Sequence, residues 1–198
     1  MHTVSSLSTL ISEKTALVLI DLQRGIVAMP TEPLPANRVI QNAQKLVEAF
    51  HNVKAQVIFV HVAPSPDGKD MLHPEVDEQM IRNGKMPEGW TNIISELEQQ
   101  ENDLIITKHQ WGAFYGTELD LELRRRGITT IVLGGIATNY GVESTARDAY
   151  ERGYNIIFAA DAMGSRTKED HEFAITRIFP RIGRVRQTEE IIKILGKQ

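Results

Sequence analysis

The chain has 198 residues, of which 41% are hydrophobic and 24% charged, and this length and composition suit one globular domain over residues 1–198. A formal net charge of −4 argues against a nucleic-acid partner, and the absence of cysteine excludes disulfides and thiol nucleophiles. No apolar run approaches the ~20 residues of a membrane span, and the N-terminus lacks the basic start and apolar core of a signal peptide. We therefore expect a cytoplasmic protein with no membrane or nucleic-acid partner.

Apolar, β-branched runs alternate with amphipathic segments along the chain. The first run, Thr15 to Asp21, is apolar until its final acid, which is typical of a strand covered on both faces. The predicted strands are 15–21, 56–62, 103–108, a run starting at Thr130, 154–161 and a short one after Gly183. The predicted helices are 36–52, a short one at 93–99, 119–126 capped by Gly127, one beginning near Val142, 168–179 ended by Pro180, and one near the C-terminus. This alternation predicts an α/β fold, with a parallel sheet and helices on both faces.

Three special positions fall where predicted strands end. Asp21 ends the first strand, Lys108 ends the third, and the turn from Gly134 to Gly141 interrupts and follows the fourth. Ligands of open parallel sheets bind outside the carboxyl ends of the strands, so these positions converge on one edge. Taken singly, the acid is more often a structural cap and the lysine a solvated surface group. Together they indicate a proton carrier beside a positive stabiliser, and the long irregular segment 63–89 is expected to cover or shape that site.

The usual phosphate and nucleophile motifs are missing from the glycine-rich turn. It lacks the G-x-G-x-x-G pattern of dinucleotide sites, the Gly-Lys-Ser/Thr of phosphate loops and the G-x-S-x-G of serine hydrolases. Ser144, inside the predicted helix, is interpreted as a packing residue. The histidines and acids between His61 and His109 are too scattered to predict a metal site. We therefore expect a small-molecule substrate and neither a cofactor nor a bound metal.

Three segments resemble, in order and spacing, the signature blocks of the isochorismatase-like hydrolase family, also called the cysteine hydrolases. They read ALVLIDLQ, TKHQWGAFYGTELDLELRRRGI and VLGGIATNYGVESTARDA, and the resemblance extends from about Thr15 to Asp161. It implies a doubly wound, three-layer α/β sandwich with a six-stranded parallel sheet, assembled as a homodimer or a larger homo-oligomer. Family members with an Asp, a Lys and a Cys hydrolyse amides such as nicotinamide or N-carbamoyl amines.

The resemblance places Asp21 on the family's aspartate and Lys108 on its lysine, but Gly141 stands where the cysteine would be. Without a thiolate, amide hydrolysis through a covalent intermediate has no nucleophile at this position. Relatives that cleave the vinyl ether of isochorismate also carry glycine there. By resemblance, Asp21 is then the general acid, Lys108 stabilises charge, and backbone N–H groups around Ala137 and Gly141 hold an anionic oxygen. The alternative is a catalytically silent binding or scaffold protein that kept the fold and lost the nucleophile.

Other residues of the three blocks are predicted to contact the substrate. The bond between Ile136 and Ala137 corresponds to a non-proline cis peptide in the family. Isochorismate-cleaving relatives carry tyrosine and histidine where this chain has Ala137 and Asn139. Arg24 and Arg82 are candidates for binding a substrate carboxylate. The predicted substrate-binding residues are Gln23, Trp111, Phe114, Ile136, Ala137 and Tyr140.

Two opposing effects act on the pKa of Asp21. A neighbouring Lys108 lowers that pKa, whereas burial and a bound anionic substrate raise it. A general acid must hold its proton near neutral pH, so the proposed role requires burial to outweigh the lysine. The sequence alone leaves this balance open.

Overall fold

The computed structural model describes residues 10–78 and 86–196, which contain six β-strands. These are β1 Thr15–Ile20, β2 Gln56–Val62, β3 Leu104–Lys108, β4 Thr130–Ile136, β5 Asn155–Gly164 and β6 Arg184–Arg186. They form one sheet in the order β3-β2-β1-β4-β5-β6, and every neighbouring pair is parallel. The predicted α/β fold with a six-stranded parallel sheet is confirmed.

The strand order reverses next to β1, which lies between β2 and β4. In open α/β sheets, the crevice at such a reversal is where ligands bind. The last paired residues of β1 and β4 are Ile20 and Gly135, so both strands end at the same level. Asp21 and the turn that follows Ile136 therefore leave the sheet side by side.

Seven α-helices occur in the described ranges 10–78 and 86–196. They are α1 Arg24–Val27, α2 Ala36–Asn52, α3 Leu119–Arg125, α4 Glu143–Glu151, α5 Lys168–Phe173, α6 Phe179–Ile182 and α7 Thr188–Ile194. Short 3-10 turns cover Ser12–Lys14 and Ser95–Leu97, and π-helical turns cover Thr138–Val142 and Ala174–Ile178. Within these ranges no helix is long and apolar enough to cross a lipid bilayer.

The sheet buries a separate hydrophobic cluster on each face. Because side chains alternate along a strand, Val18 and Ile20 face one cluster while Leu17 and Leu19 face the other. Helices α3, α4 and α6 contribute to the first cluster, whereas α2 and α7 contribute to the second. The predicted apolar stripe of α2 supplies Val39, Ala43, Leu46, Val47 and Phe50 to that second cluster.

A glycine allows β1 and β4 to approach closely at the edge that carries the site. Gly135 has φ of +122°, and a Cβ placed on it would lie 2.1 Å from the carbonyl oxygen and 2.6 Å from the nitrogen of Ile20. No side chain fits against that backbone. The close approach fixes how Asp21 and the turn after β4 stand relative to each other.

β5 is longer than the sequence predicts. The predicted strand ends at Asp161, but the observed strand continues to Gly164 because the pairing slips between Leu133, opposite Phe158, and Gly135, opposite Met163. Asp161 lies inside the resulting bulge. Oδ1 of Asp161 accepts two hydrogen bonds from Thr188, one from the backbone N–H (2.7 Å) and one from the side-chain hydroxyl group (2.8 Å). These bonds connect β5 to the start of α7.

The prediction that Pro180 ends the helix after Lys168 is wrong. The π-helical turn 174–178 interrupts the helix, so that Pro180 falls in the first turn of α6. A proline is tolerated there because the N–H it lacks would have no helical partner. The helical path continues to Ile182, and Gly183 then leads into β6.

Candidate active site

Asp21 lies directly beyond β1, at the point where the strand order reverses. Its N–H donates to the carbonyl oxygen of Val60 (2.8 Å), which extends the pairing with β2 by one residue. Its φ of +53° falls in the left-handed region, which aspartate tolerates better than most residues. The chain turns away from the sheet at this residue, and the acid stays buried with only 6% of its surface exposed.

Lys108 meets Asp21 across the end of β2. Its Nζ lies 2.8 Å from Oδ2 of Asp21 and also donates to the carbonyl oxygens of Gln110 (3.1 Å) and Trp111 (2.9 Å). The residue is 1% exposed, so its ammonium group is desolvated and all three of its donors have partners. The structure thus brings together the two charged residues that the sequence places at separate strand ends.

The two oxygens of the Asp21 carboxyl group have different surroundings. Oδ2 accepts from Lys108, whereas Oδ1 is, in the part of the chain that the structure describes, a buried oxygen without a hydrogen-bond partner. Burial raises the pKa of Asp21 above its ordinary value, and this effect exceeds the lowering by the charge and hydrogen bond of Lys108. A buried, unpartnered carboxylate oxygen is costly, while a protonated one can donate to a ligand. The surroundings therefore favour the acid form.

Gly141 faces this charge pair. A Cβ placed on it would lie 2.9 Å from Cγ2 of Ile20, 3.1 Å from Oδ2 of Asp21 and 3.4 Å from Nζ of Lys108. Position 141 therefore lies against both predicted catalytic side chains. Because residue 141 is glycine, only its backbone lies beside the Asp21 carboxyl group.

The turn between β4 and α4 contains a cis peptide bond between Ile136 and Ala137, as the resemblance implies. After it, the carbonyl oxygen of Ala137 accepts from the N–H groups of Tyr140 (3.2 Å) and Val142 (3.2 Å). The carbonyl oxygen of Gly141 accepts from the Thr145 hydroxyl (2.7 Å). The helical path then runs from 138 to 151, and its first N–H groups provide the partial positive charge of a helix start.

Of the predicted aromatic residues, Trp111 lies at the surface and Phe114 lies in the core. Trp111 is 50% exposed, and its ring packs edge-on against Tyr140 with 4.8 Å between ring centroids. Phe114 belongs to the hydrophobic core instead of a pocket wall, since its ring packs on Tyr154 at 5.9 Å and under the guanidinium group of Arg152. Ordinary core packing accounts for this position.

Gln23 has a structural role in place of the predicted contact with substrate. Its side-chain Nε2 donates to the carbonyl oxygens of Val62 (3.1 Å) and Trp90 (3.3 Å), and its Oε1 accepts from the N–H of Val62 (2.9 Å). The residue has no exposed surface. This amide joins the end of β2 to the segment around Trp90, because both pass over the end of β1.

The remaining predicted residues are Ile136, Arg24 and Arg82. The side chain of Ile136 is buried in the core, and its carbonyl group forms the cis peptide bond with Ala137. Arg24 is exposed at the start of α1, and Arg82 lies outside the described residues. The irregular segment after β2 is tied next to the site, since Oδ2 of Asp70 lies 3.1 Å from Nδ1 of His109, the residue after Lys108. Residues 10–78 and 86–196 contain no group of three or more metal-ligating side chains.

Sequence reasoning did not identify the residues that fasten the turn. Nδ1 of His171 lies 2.9 Å from Oγ1 of Thr138, and the hydroxyl of Ser165 donates to Oδ1 of Asn139 (2.5 Å). Thr138 and Ser165 have no exposed surface, and His171 is 7% exposed. A polar residue in the amphipathic segment after β5 is an ordinary helix residue by pattern, so no local signal marks His171 as a partner of Thr138.

Residues 15–190 match the isochorismatase domain. The chain is 50% identical over 182 residues to the uncharacterized isochorismatase family protein YwoC of Bacillus subtilis, which covers 91% of this chain and 94% of YwoC. It is 32% identical over 181 residues to the ureidoacrylate amidohydrolase RutB of Acinetobacter baylyi, which covers 76% and 70%. A solved structure of an isochorismatase family protein from Burkholderia thailandensis superposes with a TM-score of 0.90 at 43% identity, over 96% and 99% of the two chains. The chain therefore belongs to the isochorismatase family of hydrolases.

Proposed function

We propose that the protein hydrolyses the vinyl ether of a small carboxylated substrate such as isochorismate, without a covalent intermediate. The observation that carries this proposal is the Asp21 carboxyl group: one oxygen accepts from Lys108, and the other is buried and has no hydrogen-bond partner among the described residues. Since burial raises the pKa of Asp21, the group is suited to deliver a proton to a bound substrate. A Cβ on Gly141 would lie 3.1 Å from Oδ2 of Asp21, so the backbone of the turn closely approaches this acid.

The proposed reaction begins with transfer of the Asp21 proton to the terminal carbon of the enol ether. The electrons of the double bond form the new C–H bond, and the ether carbon becomes an oxocarbenium ion. Water adds to that carbon and returns a proton to Asp21, which gives a hemiketal. The hemiketal hydroxyl then loses its proton as the carbonyl forms, the bond to the ether oxygen breaks, and that oxygen takes up a proton, so that pyruvate and a dihydrodiol are released. General acid catalysis of this kind typically contributes about 10²- to 10⁴-fold in rate.

Lys108 supports the charged states of this cycle. Once Asp21 has given up its proton, the carboxylate is paired with an ammonium group 2.8 Å away. The two backbone carbonyls that also hold Nζ fix the direction of the lysine. The N–H groups of the turn around Ala137 and Gly141 are proposed to hold an anionic oxygen of the substrate.

The lack of cysteine separates this proposal from amide hydrolysis. A relative is named as a ureidoacrylate amidohydrolase, but this chain has no thiol at position 141 or at any other position. Protonation of an enol ether followed by addition of water requires no protein nucleophile. The vinyl ether is therefore the substrate class that the residues present support best.

The direct test is to incubate the protein with isochorismate and follow pyruvate with lactate dehydrogenase. Asp21→Asn removes the acid while keeping its size, and Asp120→Asn, which changes a surface aspartate paired with Arg124 on α3, serves as the matched control. We expect pyruvate from the wild type and the control and at least ~10²-fold less from Asp21→Asn. Equal pyruvate release by the wild type and Asp21→Asn would remove the proposal.

We also propose that the 22.3 kDa chain assembles as a homodimer or a larger homo-oligomer, as the family resemblance implies. The half-exposed ring of Trp111, next to the site, is a side chain that such an interface would cover. Sedimentation equilibrium measures the assembled mass, and a single species of monomer mass at micromolar concentration would contradict this proposal.

A further inference from the structure

The turn of Gly141 is held by side chains that come from a distant part of the chain. Thr138 and Asn139, its first two residues, each have a side-chain partner beyond β5, in His171 and Ser165 respectively. The turn has no comparable anchor of its own at this end, because a helix start lacks intrahelical partners for its first N–H groups. The two hydrogen bonds therefore hold consecutive residues of the same turn.

These partners are themselves well fixed. Ser165 exchanges two backbone hydrogen bonds of 2.9 Å with Glu32, one in each direction. His171 lies one turn into α5, and the start of that helix is capped by the Thr167 hydroxyl oxygen, which accepts from the N–H of Asp170 (3.2 Å). The ring of His171 therefore projects from a defined helix start toward Thr138.

The contact between Thr138 and His171 is buried. Thr138 has no exposed surface and His171 is 7% exposed, so removing one partner leaves the other as a costly unsatisfied polar group. Burial lowers the pKa of His171, which keeps the imidazole neutral near neutral pH. A neutral ring carries one N–H, and its tautomer decides whether the ring or the Thr138 hydroxyl donates.

We propose that His171 is a positioning residue: through Thr138, its ring sets the orientation of the Gly141 turn and so the position of the Gly141 backbone beside Asp21. Thr138 is three residues from Gly141, within the same π-helical turn, so a change at Thr138 moves Gly141 as part of one hydrogen-bonded unit. The kinetic part of this inference rests on the proposed hydrolysis, whereas its structural part does not.

The experiment compares variants that remove or keep the buried bond. Thr138→Val removes the hydroxyl at nearly constant size, and Thr138→Ser keeps it. Thr188→Val is the matched control, because it removes a hydroxyl group that is equally buried and whose 2.8 Å bond is to Asp161 and not to a residue of the turn. Backbone amide NMR measures the chemical shift and hydrogen exchange of Gly141 in each protein.

We expect Thr138→Val to shift the Gly141 amide signal and to speed its exchange at least about tenfold, as a loosened turn would. Thr138→Ser and Thr188→Val leave that amide as in the wild type. An unchanged Gly141 amide in Thr138→Val, or an equal change in Thr188→Val, overturns the proposal. If Thr138→Val does not fold, His171→Phe and His171→Asn form the equivalent pair, since asparagine retains a polar atom near the place of Nδ1.

Kinetics provide the second measurement. We expect kcat with isochorismate to fall about 10- to 100-fold in Thr138→Val with KM changed less than about threefold, because the loss is one of orientation. The double variant Thr138→Val/His171→Phe loses no more than the larger single loss, since both remove one bond. Additive losses overturn the proposal. A wild type that releases no pyruvate removes the hydrolysis alone, and the amide measurement still decides the positioning role.

Discussion

Nζ of Lys108 lies 2.8 Å from Oδ2 of Asp21, whereas Oδ1 of the same carboxyl group has no hydrogen-bond partner within residues 10–78 and 86–196. The lysine therefore orients the acid through one oxygen and leaves the other for a ligand. Burial outweighs the lysine in its effect on the pKa of Asp21. The direction of this shift agrees with the proposed role of Asp21 as a general acid.

The stability of the protein should depend on pH through Asp21. Its pKa in the folded state is raised above its ordinary value of 3.8, so between these two values the folded state binds more protons than the unfolded state. The free energy of unfolding of the wild type should therefore fall, relative to Asp21→Asn, as the pH rises from about 4 through the raised pKa. Urea unfolding of both proteins across this range measures the difference, and a difference that grows with pH would contradict the assignment.

Removing Lys108 should cost much more stability than removing an exposed lysine. Lys108→Met leaves Asp21 and the carbonyl groups of Gln110 and Trp111 without their donor, and an unsatisfied buried polar group typically costs about 1–3 kcal/mol. Lys45→Met, which breaks an exposed pair with Glu189, should cost about 0–1 kcal/mol. Urea unfolding at neutral pH gives both values. If Lys108→Met and Lys45→Met lose similarly little free energy of unfolding, this prediction is wrong.

Restoring a cysteine should not restore amide chemistry. In Gly141→Cys, the new Cβ would lie 2.9 Å from Cγ2 of Ile20 and 3.1 Å from Oδ2 of Asp21, so the neighbours must move. We expect a loss of about 1–3 kcal/mol in the free energy of unfolding and no hydrolysis of nicotinamide or N-carbamoyl substrates.

Gly141→Ala is the control that separates crowding from thiol chemistry, because it adds the same Cβ without sulfur. We expect the two variants to lose similar stability and activity on a vinyl ether. Amide hydrolysis by Gly141→Cys, together with a wild type that turns over neither amides nor isochorismate, would instead favour a scaffold that lost its nucleophile.

The segment around Trp90 should be displaced by a single methyl group. A Cβ on Gly25 would lie 1.9 Å from Nε1 of the Trp90 indole, so in Gly25→Ala the ring must leave its place over α1. Because Gln23 and Gly25 both donate to the Trp90 carbonyl oxygen, the rim of the site moves with it. We expect a red-shifted tryptophan emission and a higher KM. Trp90→Phe identifies the share of emission from Trp90, and an unchanged spectrum in Gly25→Ala would refute the displacement.

The elements of the fold and its charged pair were predictable because their signals are local. A buried parallel strand is an apolar run, and Asp21 and Lys108 each interrupt such a run at its end. The common edge of a parallel sheet then places the two residues together. The extension of β5 beyond Asp161 was not predictable, because it depends on a slip in pairing with β4.

The roles of Gln23, Phe114 and His171 depend on partners that are distant in the chain. Gln23 donates hydrogen bonds to Val62 and Trp90, and Phe114 packs on Tyr154. The sequence around Gln23 and Phe114 does not indicate these partners. His171 and Thr138 are 33 residues apart. Amphipathic and polar residues serve equally well in cores, caps and binding sites, and tertiary packing decides among these uses.

The close approach of β4 to β1 at Gly135 has a consequence for how mutational data on this protein are interpreted. Any side chain at position 135 meets the backbone of Ile20, so in a saturation scan we expect every replacement to abolish activity, as we also expect for replacements of Asp21. The two positions differ in their cause, since variants at 135 should lose folded protein while Asp21→Asn should keep it. A screen that records only turnover will therefore assign to the reaction a residue whose sole task is to leave space between two strands.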